Sequence, residues 1–284
     1  IAMLQSLSMK TYEKSVFSGF GMTIIDETHH ICSKTFSCAL FNVCTKYILG
    51  LSATPERKDG LTNVLYWFIG DIAYQVERDT SNMNIVVERH MFNCDALSMT
   101  QVPLSVTGRV SVPEIINILT ELDDRNDFIV ESIIRFYEEG RKTIVLTDRR
   151  QHCVALKDML EEKGVHDAGL YMGGMKKHQL DESEAKNIIL ATYSLAHEGL
   201  DIPTLDTLIL ATPKTDVVQA SGRILRTGGA RKFDPYILDI VDAFSVLPRQ
   251  ANRRRLFYKK SNFTIIEKKE KKEKKLEGFS FVEG

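Results

Sequence analysis

Residues 22–30 read Met-Thr-Ile-Ile-Asp-Glu-Thr-His-His, and this stretch decides the fold. The apolar run at 22–25 predicts a short buried strand, and Asp26 and Glu27 come directly after it. Open α/β sheets bind their ligands at the carboxyl ends of the strands. One carboxylate there can hold Mg²⁺ through its water shell while the next orients an attacking water. The stretch therefore predicts a phosphoryl-transfer site at the end of a parallel strand.

Strand and helix patterns alternate along most of the chain. Residues 20–25 and 47–51 predict strands that flank a helix at 36–43, and a short helix follows at 61–68 with Trp67 as its core anchor. Two further strands are predicted at 76–78 and 85–92, before the domain boundary. Beyond it the alternation repeats, with helices at 126–139 and 152–163 and strands at 143–146, 168–171, 187–191, 207–211 and 236–241. Strands that alternate with helices indicate parallel sheets, so we expect an α/β fold.

Turn and breaker residues around Pro113 divide the chain into two α/β domains. We predict a first domain at 1–110 and a second at 111–255. The segment at 267–277 repeats Glu-Lys-Lys, which is typical of a solvated helix or a disordered tail. Residues 256–284 are therefore predicted to form a charged C-terminal tail, with contact to nucleic acid as the alternative role.

The composition is that of a globular protein. At 284 residues, with 43% hydrophobic and 26% charged residues, the chain is long enough for two ordinary domains. A net charge of −1 excludes a uniformly basic nucleic-acid coat but permits a local basic groove. No run of about 18 apolar residues occurs, so we expect no membrane partner. The five cysteines lack CxxC spacing and indicate free thiols in a reducing intracellular compartment.

Two loop segments place small and acidic residues after predicted strands. Ser52 and Thr54 belong to a Ser-Ala-Thr tripeptide after the strand at 47–51, where hydroxyl groups could link a hydrolytic site to a moving surface. Gly199 and Asp201 lie in a loop shaped by Gly and Pro, and Asp201 could accept hydrogen bonds from a ribose. Taken alone, each segment is also an ordinary turn.

Residues 219–226 read Gln-Ala-Ser-Gly-Arg-Ile-Leu-Arg. In a helix Gln219, Arg223 and Arg226 share one face, because they are spaced i, i+4 and i+7. An Arg pair directed at a phosphate gives bidentate, permanently charged contacts, and from a facing domain it can act as an arginine finger. Gly222 permits a close backbone approach. The alternative is a solvent-exposed pair of charges on a helix.

Taken together, these segments resemble the motifs of superfamily 2 DExH helicases. The acidic stretch is similar to motif II, Ser-Ala-Thr to motif III, 192–203 to motif V, and 219–226 to motif VI with its QxxGRxxR pattern. The strings LGLSATPERKDG at 49–60 and RQANRRRLFYKK at 249–260 resemble the transcript-release helicases of poxviruses and related helicases of other large DNA viruses and phages. The resemblance covers roughly residues 1–255.

The resemblance implies two RecA-like domains with parallel sheets, ATP between them, and nucleic acid, DNA in preference to RNA, across their tops. Asp26 would then hold Mg²⁺ through water, Glu27 would orient the hydrolytic water, and His29 would couple that site to the second domain. His29 would make this coupling through Gln219, and Arg223 and Arg226 would stabilise the charge of the γ-phosphate. The other implied roles are the ATP wall at Gly199 and Asp201, coupling by Ser52 and Thr54, and nucleic-acid contact by Ser6, Arg149 and Thr192. Such a protein is a nucleic-acid-dependent ATPase, helicase or translocase. The viral resemblance points to transcription or transcript release, in the host cytoplasm or the virion.

One segment that the family needs is absent. No GxxxxGK[ST] phosphate loop, which cradles the β- and γ-phosphates, occurs in the sequence, and the first residue is Ile. We expect the chain to be a segment of a longer helicase, so that the first RecA-like domain is N-terminally incomplete. The alternatives are a split subunit whose partner supplies the loop, and a non-hydrolysing nucleic-acid-binding module or scaffold. A nuclease or restriction-motor subunit shares these motifs but needs a carboxylate–lysine nuclease site, which the sequence does not show.

Overall fold

A computed structural model describes residues 1–43, 45–52, 60–76, 84–93, 100–198, 202–217, 220–222 and 232–269. The chain divides into two compact units, Ile1–Arg78 and Asp79–Gly284, which we call unit 1 and unit 2. Each unit contains its own parallel sheet.

Unit 1 is built on two short parallel strands. In chain order its elements are helix α1 (Leu4–Met9), a 3-10 helix (Lys14–Phe17), strand β1 (Met22–Ile25), a second 3-10 helix (Thr28–Cys32), helix α2 (Lys34–Asn42), strand β2 (Tyr47–Gly50) and helix α3 (Thr62–Phe68). Helix α2 begins where it does because Ser33 Oγ accepts a hydrogen bond from Phe36 N at 3.2 Å. In the sheet, Ile25 pairs with Gly50, so both strands end at the same edge.

The strands of unit 1 are shielded on one face. Successive residues of β1 and β2 alternate between exposed and half-buried positions. The exposed apolar residues of this sheet are Met22, Ile24, Tyr47 and Leu49. The prediction that Trp67 anchors the core is wrong, because its side chain is 79% exposed and Leu65 occupies the buried position of α3. Trp67 comes two residues after Leu65, so the two side chains point in directions roughly 200° apart around the helix axis.

Unit 2 contains a seven-stranded, wholly parallel sheet in the order β5-β6-β4-β7-β8-β3-β9. Its strands are β3 (Val86–Phe92), β4 (Thr143–Thr147), β5 (Ala168–Tyr171), β6 (Ile188–Thr192), β7 (Thr207–Leu210), β8 (Tyr236–Asp242) and β9 (Thr264–Lys269). Its helices are α4 (Val112–Thr120), α5 (Asp123–Glu138), α6 (Arg150–Glu162), α7 (Lys177–Glu184), α8 (Tyr193–Glu198) and α9 (Leu247–Lys260).

The sheet of unit 2 is covered on both faces. Strands β4, β6 and β7 are buried along their whole length, as expected for parallel strands between two layers. One core contains Ile115, Ile129 and Leu156 from α4, α5 and α6, and the other contains Tyr193 and Tyr258 from α8 and α9. Within the described ranges, no helix is both long enough and apolar enough to cross a membrane.

The two units divide earlier in the chain than the predicted boundary between 1–110 and 111–255. Strand β3 falls inside the predicted first domain, yet it pairs with β8 on one side and β9 on the other. It therefore belongs to the sheet of unit 2. Its partners lie near the end of the chain, and parallel pairing over such a separation leaves no local signal in the sequence.

Part of the predicted charged tail, 256–284, belongs to the fold. The end of α9 and all of β9 lie in this segment, and β9 forms an edge of the sheet. Arg89 Nη1 donates to Glu267 Oε1, and Lys268 Nζ donates to Glu88 Oε2 at 2.9 Å. Strand β9 thus pairs with β3 along its length and brings opposite charges to the buried Glu88 and Arg89. The rest of the tail lies outside the described residues.

Candidate functional site

The acidic pair lies at the carboxyl end of β1, as the sequence predicts. Asp26 is exposed and directly follows Ile25, and its Oδ1 accepts a hydrogen bond from Glu27 N at 2.9 Å. Glu27 is half-buried and adopts the left-handed conformation, with φ 47° and ψ 49°, which is uncommon for a residue with a Cβ. His29 lies in the 3-10 helix that follows, where His30 N donates to Glu27 O at 3.0 Å. The chain therefore turns sharply after β1 and leaves the Asp26 carboxylate at the edge of the sheet.

Thr28, which sequence reasoning passed over, ties this turn to β2. Its backbone N donates to Leu51 O at 2.9 Å, and its Oγ1 lies 2.8 Å from Ile25 O and 3.0 Å from Leu51 O. The residue is 5% exposed. A Cβ on Gly50 would lie 2.8 Å from Thr28 Oγ1, so the threonine fits because β2 ends in glycine. A glycine inside a strand is the sequence signal that could have shown this close approach.

The other candidates of unit 1 lie on separate elements. Ser52 is half-buried just beyond the end of β2, so it leaves the sheet at the same edge as Asp26. Ser6 lies in α1, where its carbonyl oxygen accepts a hydrogen bond from the Tyr12 hydroxyl at 3.2 Å. Thr54 lies outside the described residues.

In unit 2, Arg149 and Thr192 lie at the carboxyl ends of the neighbouring strands β4 and β6. Arg149 Nε donates to Asn117 Oδ1 at 2.6 Å and Nη2 donates to Pro113 O at 2.8 Å, so its guanidinium fastens the end of β4 to α4. Thr192 is 6% exposed. Both residues lie at the edge of the sheet where α/β proteins bind ligands, and their contact with nucleic acid stays a prediction.

The predicted arginine helix and ATP-wall loop lie outside the described part of the chain. The residues concerned are Gly199, Asp201, Gln219, Arg223 and Arg226. The described segment that precedes this helix in sequence, residues 211–217, is held by buried side chains that sequence reasoning missed.

Three side chains donate hydrogen bonds to backbone carbonyl oxygens of this segment. The pairs are Arg125 Nη1 with Ala211 O at 2.7 Å, Tyr193 OH with Thr212 O at 2.9 Å, and Arg254 Nη1 with Lys214 O at 2.7 Å. The donors belong to α5, α8 and α9, so three helices converge on the segment that leads to 219–226. No local pattern marks these donors, since each lies far along the chain from its acceptor.

Buried carboxylates hold two of these donors. Arg125 Nε and Nη2 donate to Asp242 at 2.7 and 3.1 Å, and Arg254 Nε and Nη2 donate to Asp239 at 2.9 and 2.7 Å. Burial by itself lowers the pKa of Arg254, but the Asp239 carboxylate raises that pKa above its usual value, so the guanidinium stays charged. Burial raises the pKa of Tyr193, so its hydroxyl keeps the proton that it donates.

His152 belongs to a second buried network at the same edge of the sheet. Its Nδ1 lies 2.9 Å from Thr147 Oγ1 and its Nε2 lies 2.9 Å from Asn126 Oδ1. Burial, together with the charge of Arg125, lowers the pKa of His152 to about 3, so the imidazole is neutral at physiological pH. A carboxamide oxygen only accepts, so Nε2 carries the proton and the Thr147 hydroxyl donates to Nδ1.

Asp26 fits the role of a metal ligand that acts through water. Its carboxylate is exposed, and Mg²⁺ sites commonly combine one or two carboxylates with waters and substrate phosphates. Across the ranges that the structure describes, no group of three or more His, Cys, Asp and Glu side chains could hold a metal ion. Asp26 would therefore be one ligand of a Mg²⁺ ion whose other ligands are waters and nucleotide phosphates.

Two family models match the chain. Residues 124–228 match the helicase conserved C-terminal domain, and residues 1–57 match the type III restriction enzyme res subunit. The first match includes the predicted arginine helix, and the second includes Asp26, Glu27 and Ser52.

Curated relatives come from large DNA viruses and a phage. A protein of Acanthamoeba polyphaga mimivirus, named an ATP-dependent RNA helicase, is 33% identical over 270 residues, which are 93% of this chain and 52% of the relative. A protein of the same name from African swine fever virus (strain Badajoz 1971 Vero-adapted) is 25% identical over 280 residues, 91% of this chain and 54% of the relative. A protein of Escherichia phage T5, named a helicase, is 25% identical over 257 residues, 87% of this chain and 54% of the relative. The chain thus spans about half the length of these relatives, and their names give no support to DNA over RNA.

Solved structures show the same fold. T4 UvsW superposes with a TM-score of 0.54 at 22% identity, covering 94% of this chain and 57% of that chain. A fragment titled as an HsdR subunit of a type I restriction enzyme from Vibrio vulnificus YJ016 gives a TM-score of 0.62 at 18% identity, covering 88% of this chain and 48% of that chain. These matches confirm the predicted α/β class with RecA-like, parallel-sheet domains. In its two family matches and in its viral and phage relatives, the chain is similar to the helicases of large DNA viruses and phages.

Proposed function

We propose that this chain is the part of a nucleic-acid-dependent ATPase that carries the hydrolytic carboxylates and the arginine helix. The observation that supports this best is the acidic turn, in which an exposed Asp26 and a left-handed Glu27 follow a parallel strand of a helicase-family chain. Asp26 would hold Mg²⁺ through water. When bound, that ion neutralises charge on the β- and γ-phosphate oxygens of ATP.

The other roles are assigned to this chain's own side chains. Glu27 orients the water that attacks the γ-phosphate, and Arg223 and Arg226 provide fixed positive charge for that phosphate. Loss of the γ-phosphate then removes contacts that hold the nucleotide-bound conformation. Repeated cycles of this change move the protein along one nucleic-acid strand.

Steady-state phosphate release by a form of the protein that includes a GxxxxGK[ST] phosphate loop, with and without a single-stranded oligonucleotide, tests this proposal. We expect oligonucleotide-stimulated hydrolysis that Glu27→Gln and Arg223→Ala each reduce about a hundredfold or more, because both remove groups that act on the transition state. Arg253→Ala, at an exposed position of α9, is the matched control and should leave turnover unchanged. Near-parental turnover in Arg223→Ala contradicts the proposal.

We further propose that a polypeptide segment outside these 284 residues, in the same product or in a partner, supplies the phosphate loop. The uncovered apolar face of β1 and β2 supports this, since parallel sheets are normally covered on both faces. The 284-residue chain alone should hydrolyse ATP very slowly, and a version extended upstream through a GxxxxGK[ST] sequence should hydrolyse it faster. Equal rates for the two forms contradict a supplied loop.

Ser6, Arg149 and Thr192 are proposed to contact the nucleic-acid backbone without regard to base sequence, so binding should weaken steeply with salt. DNA is the proposed strand, in viral transcription or transcript release in the host cytoplasm or virion. The RNA helicase names of two relatives argue the other way. Single-stranded DNA and RNA of equal length, compared at several salt concentrations, decide between them. Stronger stimulation by RNA rejects the DNA preference.

The absent phosphate loop favours a second candidate, a nucleic-acid-binding module that does not hydrolyse ATP. Salt-sensitive oligonucleotide binding, with no hydrolysis in either the 284-residue or the extended form, selects this candidate over the ATPase.

A further inference from the structure

A single buried hydroxyl joins the acidic turn of unit 1 to the end of β2. Thr28 Oγ1 lies 2.8 Å from Ile25 O and 3.0 Å from Leu51 O. Each of these oxygens already accepts one backbone N–H, Ile25 O from Leu51 N at 2.8 Å and Leu51 O from Thr28 N at 2.9 Å. The hydroxyl therefore shares its proton between the last residue of β1 and the first residue after β2.

The Thr28 side chain can occupy this position only because residue 50 is a glycine. A Cβ added there would lie 2.8 Å from Thr28 Oγ1 and 3.0 Å from Thr28 Cγ2. Gly50 is not among the glycines with positive φ, so the position needs glycine for space rather than for backbone conformation. The sequence thus provides both halves of the contact, a β-branched hydroxyl residue and the gap that admits it.

Glu27 is the residue that this contact supports. A non-glycine residue persists in the left-handed region only where its surroundings determine its conformation. On one side Asp26 Oδ1 accepts from Glu27 N, and on the other side Thr28 is fixed to β2 by both its N–H and its hydroxyl. Thr28, the residue directly after Glu27, is therefore held in place by hydrogen bonds to the ends of both strands.

We propose that Thr28 is a positioning residue, whose hydroxyl couples the turn that carries Asp26 and Glu27 to the end of β2, from which Ser52 continues. A shift of the segment after β2 moves Leu51 O, and Thr28 transmits that shift to Glu27. The catalytic consequence rests on the proposed ATPase function, whereas the structural link can be measured without it.

Three substitutions separate the hydroxyl from the shape of the side chain. Thr28→Val keeps the shape without the hydroxyl, Thr28→Ser keeps the hydroxyl without the methyl group, and Thr28→Ala removes both. Hydrogen exchange of the 284-residue chain is the first readout. In the Val and Ala variants, peptides covering 26–32 and 50–52 should exchange about tenfold faster, the effect of one lost hydrogen bond. The Ser variant and all peptides of unit 2 should exchange as in the parent.

The Gly50→Ala substitution completes a double-mutant cycle. In the parent the added Cβ displaces the Thr28 side chain, so exchange at 26–32 should rise as it does in Thr28→Val. In the Thr28→Ala background the Cβ meets neither Oγ1 nor Cγ2, so the same substitution should have a smaller effect. This cycle tests the contact between position 50 and the Thr28 side chain. If Thr28→Val fails to fold, the comparison of Thr28→Ser with Thr28→Ala still tests the hydroxyl.

ATP hydrolysis by the form of the protein that includes the phosphate loop is the second readout. Thr28→Val should lower kcat about tenfold with little change in KM for ATP, because it misplaces a group that acts in the transition state. Thr28→Ser should restore kcat. Parental exchange in Thr28→Val, or equal losses in the Ser and Val variants, overturns the proposal. If the parent hydrolyses no ATP and the local rise in exchange still appears, the proposed function fails while the Thr28 link stands.

Discussion

The two units share a parallel α/β architecture but bury their strands to different extents. In unit 1, β1 and β2 alternate between exposed and half-buried positions, and the buried cluster consists of Ile31, Cys32 and Leu65. In unit 2, β4, β6 and β7 are buried at every position between two cores. An apolar run therefore predicts a strand, whereas burial of both its faces depends on layers that other segments contribute.

The units also differ in how they hold the ends of their strands. In unit 1, the neutral hydroxyl of Thr28 joins the ends of β1 and β2. In unit 2, Arg125, His152 and Arg254 form buried, charged or polar networks at the corresponding edge. Buried networks of this kind are costly to break, so substitutions in unit 2 should lower stability more than comparable substitutions in unit 1.

Removal of β9 should have the largest effect. A chain that ends after Asn262 loses the buried Phe263 and the pairing with β3, so its free energy of unfolding should fall by more than about 3 kcal/mol, the cost of one buried Phe. A chain that ends after Lys269 is the control and should change by less than about 0.5 kcal/mol. Urea unfolding followed by circular dichroism measures both. Equal stabilities would make β9 the dispensable tail that the sequence predicts.

Arg125→Met should have the next largest effect. Arg125 is 0% exposed, and its loss leaves Asp242 buried without its cation and Ala211 O without a side-chain donor. Breaking a buried ion pair from one side lowers stability by about 3–5 kcal/mol. Arg253→Met, at an exposed position of α9, should have almost no effect on the same urea curve. Similar midpoints for the two variants would show that the network contributes nothing to unit 2.

The sequence predicts the elements well and their partners poorly. Strand β1, helix α2 and strand β2 lie where local periodicity puts them, because each is specified by adjacent residues. Strand β3 is also predicted, but its assignment to unit 2 depends on pairing with β8 and β9, which no adjacent residue encodes. Arg125 is missed for the same reason, since its partners Asp242 and Ala211 are distant in sequence.

The candidate site shows the same limit at the level of single residues. Asp26 and Glu27 are predicted as site residues because two carboxylates after an apolar strand are chemically unusual. Thr28 has no such signal, because its role appears only when β1 and β2 are in register and Gly50 leaves room for its side chain. Motif chemistry thus identifies groups that could react with a ligand, whereas the residues that position them require the pairing of strands.

A smaller effect should appear as a pH dependence of unit 2. The pKa of His152 is lowered from 6.5 to about 3 in the folded chain. Between these two values the unfolded chain binds more protons than the folded chain, so stability falls as pH falls below about 6.5. The decrease in the free energy of unfolding that His152 causes approaches about 1.4 kcal/mol per pH unit. His152→Gln should flatten the urea-derived profile between pH 7.5 and 5, and His178→Gln, at an exposed histidine, should leave it unchanged. Above pH 5 Glu88, whose pKa is lowered below 4.5, does not contribute. An unchanged slope in His152→Gln would exclude this histidine as the source.

The smallest effect is expected at Trp67 in unit 1. This single tryptophan is 79% exposed, so Trp67→Ala should change the free energy of unfolding by less than about 0.5 kcal/mol. Leu65, on the same helix, is 6% exposed, and Leu65→Ala should lower it by about 2–5 kcal/mol. Because the chain has one tryptophan, its fluorescence reports on α3, and its emission should be that of a solvated indole that barely shifts on unfolding. A blue-shifted emission in the folded chain would place Trp67 in a buried, apolar environment. Unit 1 would then bury more of its apolar side chains than the exposed strands β1 and β2 indicate.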